Sequence, residues 1–328
     1  MFASALMITC LAVNPDGDAS SRAFFQPELF QTLINPACSH CVDEARRKAG
    51  ELREDDRVLA WIRGKYDGGA IPYRWFLVPY RVISDTYGVF VHDPDAGFVR
   101  GYPASLDYRF HGWRNGVMVM RHVDGTLFDC LTGEAFDGPR KGERLQAIPT
   151  LETDWGPWLK SSPGTVAYQM IAKFQPQPRP TALSEQSKRT RPTADPRLDP
   201  EERVFGIELN GASVAWPVKG FGAEPAVRQV DVNGQSVLIF WDGRTGTAAA
   251  YAPSTDANAG RTLSIHVDSS NPEAPWVDKE TGSRWGITGR AVSGPLKGET
   301  LTWLPGVLVK WYAWAASYPK TDLGETAE

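Results

Sequence analysis

The stretch LTGEAFDGPRKGERLQAIPTLETDWGPWLKSSP, Leu131 to Pro163, returns without a gap as ITGRAVSGPLKGETLTWLPGVLVKWYAWAASYP, Ile287 to Pro319. The two segments lie 156 positions apart and share 14 of 33 residues, including Gly133/Gly289, Gly138/Gly294, Lys141/Lys297, Trp155/Trp311 and Trp158/Trp314. Self-similarity of this length reads as a duplication. Gly-Pro followed by Lys-Gly concentrates residues that permit positive φ or fix φ, so each block is expected to hold two tight turns around a short extended segment. After the second proline of the first copy, Thr153 and Asp154 are placed to cap a short helix whose Trp155, Trp158 and Leu159 fall at i, i+3 and i+4. Trp311, Trp314 and Ala315 repeat that spacing. Tryptophans so placed are expected to pack onto a sheet rather than to stack on a ligand. Pro163 and Pro319 then end the helices.

Working outward from the blocks, 328 residues leave room for two domains, each with its own core. With 42% hydrophobic and 23% charged residues and a formal net charge of −4, the composition is that of a globular chain without general attraction to nucleic acid or anionic lipid. Twelve tryptophans, 31 glycines and 25 prolines favour turns and strands over a helical bundle. The expected fold is mainly β (α+β): two tandem β-rich repeats, each closing with a short helix, preceded by a short helical segment. The boundaries read as an apolar leader and tether (1–22), a helical segment (23–56), the first repeat (57–174), a Pro-rich linker (175–200), the second repeat (201–322) and a tail (323–328).

Phe2 to Val13 is an apolar run of secretory length, without a preceding Lys or Arg or a clear small-x-small cleavage site, and export to the periplasm or cell surface is expected from it. Cys10 stands at the depth of a lipid-modified cysteine, though Thr9 fits that site poorly. No later run is long enough to span a bilayer. Phe24 to Ile34, with Pro27 in a first turn and Phe30, Leu33 and Ile34 on one face, predicts an amphipathic helix. Asn35-Pro36 breaks it, and a second helix is expected from about Ser39 to Leu52. In the first repeat RVLAWIRG reads as a strand, GGAIP as a turn, and RVISDTYGVFVHDPDAGFVRGY as a hairpin closing at 93–97. Tyr108 to Asp129 adds two extended runs. Gln175 to Pro200 holds six prolines and reads as an extended, exposed linker. In the second repeat Asn210-Gly211 and Asn233-Gly234 are hairpin signals, and Asp242-Gly243 is a turn between two strands.

GIELNGASVAWP (Gly206 to Pro217), YRVISDTYG (Tyr80 to Gly88) and both TGxAxxGPxKG blocks together resemble an exported bacterial and archaeal family, the domain of unknown function numbered 3179 (DUF3179). In that family a strand like GVEINGEARAYP precedes a segment like HEIVNDTIGG and a closing block like ETGSLWSQLTGEAIAGPLAGTRL. The resemblance covers roughly residues 57–170 and 203–322, and it implies two tandem copies. If the residues that relatives carry at two further positions form a site there, neither half retains it. Relatives often carry a Cys-Pro-Leu-Cys turn after the central strand and a His-Glu pair before Ile-Val-Asn-Asp. Here the turns read HDPDAG and WDGRTG, and the pair is Tyr80-Arg81. Asp85 remains from that segment, and Asn115 stands where the family has an asparagine.

Two constellations could carry chemistry. Cys38-Ser-His-Cys41 has the spacing of a soft-metal grip, a redox pair or a disulfide. As a metal site, Cys38, His40 and Cys41 would take zinc or another transition metal, with Cys130, His111 and His122 as further ligands. Val42 stands where a c-type haem attachment needs histidine. His111-Gly112-Trp113-Arg114-Asn115 clusters an imidazole, a guanidinium and an amide beside an aromatic, as a site for an anionic or sugar-like ligand would, and as a solvated turn would. The ligand-binding candidates are therefore His111, Trp113, Arg114 and Asn115, with Asp85. Asp93 and Asp95 before Gly97 have the look of a calcium loop but lack its downstream acids, so a plain turn is expected. No nucleophile elbow, Walker loop, dinucleotide fingerprint or His-Glu-x-x-His helix is present in the sequence. Four of the five histidines precede residue 123, which points to a functional first half and a supporting second half. The function these features suggest is that of an exported module binding a ligand or protein partner without catalysis; the alternative is a metal- or thiol-dependent protein built on Cys38, His40 and Cys41.

Overall fold

In both copies of the block three glycines sit in the left-handed region: φ is 75° and 71° at Gly133 and Gly289, 92° and 89° at Gly138 and Gly294, and 91° and 93° at Gly142 and Gly298. A side chain resists that conformation, which accounts for the identity of these positions. The same hydrogen bonds follow. Ala135 N–H donates to Glu143 and Ala291 N–H to Glu299 at 2.8 and 2.9 Å; Leu145 N–H donates to Gly133 and Leu301 N–H to Gly289 at 2.9 and 2.8 Å.

The computed structural model describes residues 24–25, 31–36, 52–63, 67–73, 80–167, 185–255 and 262–325. The first half contains β1 (Phe24–Phe25), β2 (Gln31–Ile34), β3 (Arg57–Arg63), β4 (Asp67–Pro72), β5 (Tyr80–Ser84), β6 (Val89–Asp93) and β7 (Phe98–Tyr102). It continues with β8 (Tyr108–Arg114), β9 (Val117–His122), β10 (Leu127–Asp129), β11 (Ala135–Asp137), β12 (Thr150–Asp154), helix α1 (Trp155–Ser161) and β13 (Val166–Ala167). A connecting helix, α2, spans Glu185–Thr190. The second half opens with β14 (Arg203–Leu209), β15 (Ala212–Pro217), β16 (Ala226–Val232), β17 (Gln235–Asp242) and β18 (Thr247–Ala252). Then come β19 (Ile265–Val267), β20 (Trp276–Asp278), β21 (Arg284–Trp285), β22 (Ala291–Ser293), β23 (Thr302–Leu304), β24 (Val307–Lys310), α3 (Trp311–Ser317) and β25 (Asp322–Leu323). The fold is mainly β, in several sheets.

Each half holds three sheets: β12-β3-β4-β13 matches β24-β14-β15-β25 strand for strand, β5-β6-β7 matches β16-β17-β18 with β2 and β23 added at opposite edges, and β8-β9-β10-β11 matches β19-β20-β21-β22 with β1 added in the first half. Each half has a core of its own, and the packing adds two further cores to which both halves contribute. Successive residues of a strand face opposite sides. On β3, Leu59 and Trp61 join Ile83, Phe90 and Val99 of their own half. Val58 and Ala60 face the other way, into a core with Leu238, Phe240, Tyr251 and Trp276 of the second half. On β14, Phe205 and Ile207 join Val237, Ile239 and Trp241. Val204 meets Val89, Phe98, Trp113 and Met118 of the first half. The closing helices join the same shared cores: Trp155 and Trp158 of α1 lie in the one with Leu238, Phe240 and Trp276, and Trp311 and Trp314 of α3 in the one with Phe98, Trp113 and Met118.

Polar contacts cross the same seam. Glu152 accepts from Arg57 at 2.9 Å and from Arg203 at 2.8 Å, joining the arginines that open β3 and β14. Lys310 N–H donates to Ala96 at 2.8 Å, and Arg57 donates to the carbonyl of Thr245.

Local expectations differ from the structure at four places. Phe24 to Ile34 contributes two strands rather than a helix; β2 pairs in parallel with β5, and Thr32 Oγ1 accepts Phe110 N–H at 2.7 Å. GGAIP is part of β4 rather than a turn. Its glycines serve close approach, since a Cβ on Gly68 would come within 2.8 Å of Trp158 and one on Gly69 within 1.9 Å of Trp61. Asp154 is extended and precedes α1 but makes no capping hydrogen bond; its carboxylate is drawn to Arg57 at 2.9 Å instead. The expected linker contains α2, whose Ser187 is wholly buried. The helix expected from Ser39 to Leu52 lies outside the described residues except for Leu52. Among the described residues no helix is long and apolar enough to cross a membrane.

The shared cores make a prediction. Trp314→Ala removes a fully buried indole and is expected to cost about 3–5 kcal/mol in denaturant unfolding. Hydrogen exchange should speed up at Met118 and Met120 of the first half as well as along β14. Faster exchange confined to the second half would contradict the shared core.

Candidate functional site

The site is built on the β8–β9 hairpin. Arg114 pairs with Val117 across a two-residue turn, with φ of 54° at Asn115 and 75° at Gly116, the signs a type I′ turn requires. Other elements fix this tip. Gly116 N–H donates to Thr190 Oγ1 at 3.0 Å. The Gly116 carbonyl accepts Ser187 Oγ–H and Tyr312 Oη–H, each at 3.2 Å. Arg191 lies over the Tyr312 ring at 4.0 Å and pairs with Glu201 at 2.5 Å. The connecting helix and α3 thus hold a hairpin of the first half from outside.

Beside that tip the first block and the end of α3 enclose a pocket of about 460 Å³, lined by Arg114, Asn115, Asp129, Thr132, Glu134, Ala135, Phe136, Lys141, Gly142, Ala316, Ser317 and Pro319. The Arg114 guanidinium lies 4.4 Å from the Phe136 ring centroid. Its Nε is buried and has no hydrogen-bond partner among the described residues. Asp129 is nearly buried, and its Oδ1 accepts Leu131 N–H at 2.8 Å and Thr132 N–H at 2.9 Å. Burial raises its pKa against those bonds and the more distant charge of Arg114. Glu134 and Lys141 are exposed at the rim.

A second pocket of about 280 Å³ lies on the other side of the block, and Thr132 lines both. Its charges are satisfied within the protein. Arg144 pairs with Glu208 at 2.8 Å and donates to Tyr318 Oη at 3.1 Å. Arg100 donates to the carbonyls of Leu131 and Pro305 at 3.2 and 3.1 Å.

Of the residues singled out by sequence, the structure brings Arg114 and Asn115 together on the larger pocket. Trp113 is fully buried, packed edge-on to Phe110 at 5.1 Å with Arg81 5.5 Å from its ring. It supports the hairpin from inside. His111 is half-buried at the bulge between Phe110 and Gly112. Burial, with the charge of Arg121, lowers its pKa from 6.5 to about 4. Asp85, 2% exposed, accepts from Thr86 Oγ1 at 3.0 Å and so stabilises the β5–β6 turn.

The 93–97 turn is spent on internal bonds. Asp93 Oδ1 accepts Asp95 N–H at 3.1 Å and Ala96 N–H at 3.0 Å, and its Oδ2 accepts Met118 N–H at 2.9 Å. Asp95 pairs with Arg81 at 2.6 Å, both buried. The two segments that depart from the resembled pattern, Tyr80-Arg81 and HDPDAG, therefore meet each other through this ion pair. Burial and the neighbouring Asp95 push Asp93 up to about 7.

Cys38, His40 and Cys41 lie outside the described residues. Cys130 is buried, and burial pushes its thiol pKa well up. Among the described residues no group of three or more His, Cys, Asp and Glu is placed to hold a metal ion. Sequence reasoning missed Asp129, Thr132, Phe136, Lys141 and Ser317. Lys141 carried a signal, its identity with Lys297; Ser317, nearly two hundred residues from the hairpin, carried none.

A family model described as "Protein of unknown function (DUF3179)" matches residues 113–321. The match is one span, not two, and takes in every residue named above as lining the larger pocket. No curated protein matches the chain, and no solved structure does.

The lowered pKa of His111 has a definite sign. The folded protein holds the ring neutral while the unfolded chain takes up a proton as pH falls through 6.5. The stability this group supports is present above that value and is lost as pH drops toward about 4. Nitrogen-detected NMR should show His111 neutral at pH 6 and titrating near 4, and His111→Gln should flatten the acid limb of stability; titration near 6.5 would contradict the burial described.

Proposed function

The chain belongs to the DUF3179 family, and on that premise we propose that it is a duplicated, non-catalytic binding module that holds a small polar ligand in the 460 Å³ pocket. The observation that carries the reading is the make-up of this pocket. It forms where the first block meets the closing helix of the other half, and it is lined by the Arg114 guanidinium, which rests on the Phe136 ring and joins no ion pair among the described residues. Its volume falls in the range of small-molecule sites, about 300–1,000 Å³. The lining offers charged and hydrogen-bonding groups converging on one space, as a site that orients a small polar ligand does.

Support for duplication, as two tandem copies of one unit, comes from the matched left-handed glycines and from the strand orders common to the two halves, β12-β3-β4-β13 against β24-β14-β15-β25 above all. Support for export comes from the apolar run Phe2 to Val13.

Amide NMR with a panel of neutral, acidic and basic compounds of metabolite size tests the reading. Binders are expected to shift Asn115, Thr132, Gly142 and Ser317. Ser317→Trp, which fills the pocket from its half-buried rim, should abolish those shifts and leave the unfolding temperature within a few degrees. Shifts that map elsewhere, or chemical turnover of a binder, would overturn it.

A further inference from the structure

We propose that the ligand carries a carboxylate, bound by the fork of Arg114, an inference that rests on the larger pocket being the binding site. Arg114 is held in place from two directions: its backbone sits at a hairpin tip anchored by Thr190, Ser187 and Tyr312, and its guanidinium rests on Phe136 at 4.4 Å. A cation–π contact orients a guanidinium without neutralising it. No ion pair within 4 Å engages Arg114 among the described residues, and its buried Nε donates to nothing there. A planar oxyanion in the pocket would meet the outer nitrogens of this guanidinium through parallel, charge-assisted N–H bonds.

The rest of the lining selects among oxyanions. Lys141 adds a second cation at the rim, while Asp129 and Glu134 bring two carboxyl groups into the same space. Two bases against these two acids leave the lining without surplus positive charge, so the larger desolvation of a dianionic phosphate is offset less fully than that of a monoanionic carboxylate. The same two acids, with Thr132, can accept hydrogen bonds from hydroxyl or ammonium groups on the ligand. The class this describes is a small hydroxy, amino or sugar acid.

The experiment uses the full chain and matched probes: D-glucuronate against D-glucuronamide, L-glutamate against L-glutamine, and glucose 6-phosphate, read by amide shifts at Asn115, Thr132 and Gly142. At least one carboxylate is expected to bind about tenfold or more tightly than its amide and than the phosphate. Arg114→Gln should remove that preference and Arg114→Lys restore it only partly, while Lys141→Gln, on the exposed rim and harmless to folding, should weaken the carboxylate a few-fold. Amides or the phosphate binding the pocket as well as the acids would overturn the carboxylate inference and leave the pocket reading standing. If none of these probes and no compound of the wider panel shifts the pocket amides, both fall.

Discussion

A strand buried on both faces must serve two cores, and β3 and β14 do so in opposite senses. RVLAW and RVFGI are nearly continuous apolar runs, the pattern of strands without a solvent face. Alternation then divides each run between its own half and the other. Because the closing helices continue from β12 and β24, which pair with β3 and β14, they are carried across as well. Trp158 and Trp314 each pack against a glycine of their own half, Gly68 and Gly206, and also join a core to which the other half contributes. Glu152 marks the same seam in charge, between Arg57 and Arg203. Glu152 is the buried member of this set, so removing either arginine leaves its carboxylate less compensated, while the partly exposed Arg203 is screened by solvent.

The larger pocket is a consequence of this exchange. Its floor comes from the first block, and its wall from the end of α3, which is in place only because Trp311 and Trp314 are buried in the first half's core. The hairpin that presents Arg114 is held by Tyr312 from the same helix and by α2 from the connecting segment. Binding groups on rigid, doubly anchored elements lose little freedom when a ligand arrives. The second half is more than a support, since without its helix the pocket has no wall.

Much of the local structure was legible in the sequence because short-range rules govern it. Asn210-Gly211 and Asn233-Gly234 are hairpin turns with left-handed φ at both residues, and each block forms two turns around a short strand. Expectations failed where distant partners decide. GGAIP looked like a turn until Trp61 and Trp158 supplied the reason for its glycines. Gln31–Ile34 is a strand because β5 offers an edge, which no local spacing records. In the site, Arg114 and Asn115 could be singled out by their clustering, whereas Tyr312 and Ser317 are brought to them by the crossing of the halves.

The exchange of cores is the claim on which the rest depends, and fragment complementation tests it most directly. Residues 1–174 and 175–328 are produced separately, and unfolding is followed by calorimetry and near-ultraviolet circular dichroism, alone and after mixing. The structure predicts that neither fragment alone unfolds cooperatively with fixed tryptophan signals, and that mixing restores one transition with the spectrum of the intact chain. A cooperative transition in either isolated half, with its tryptophan signals in place, would contradict the shared core and the pocket that depends on it.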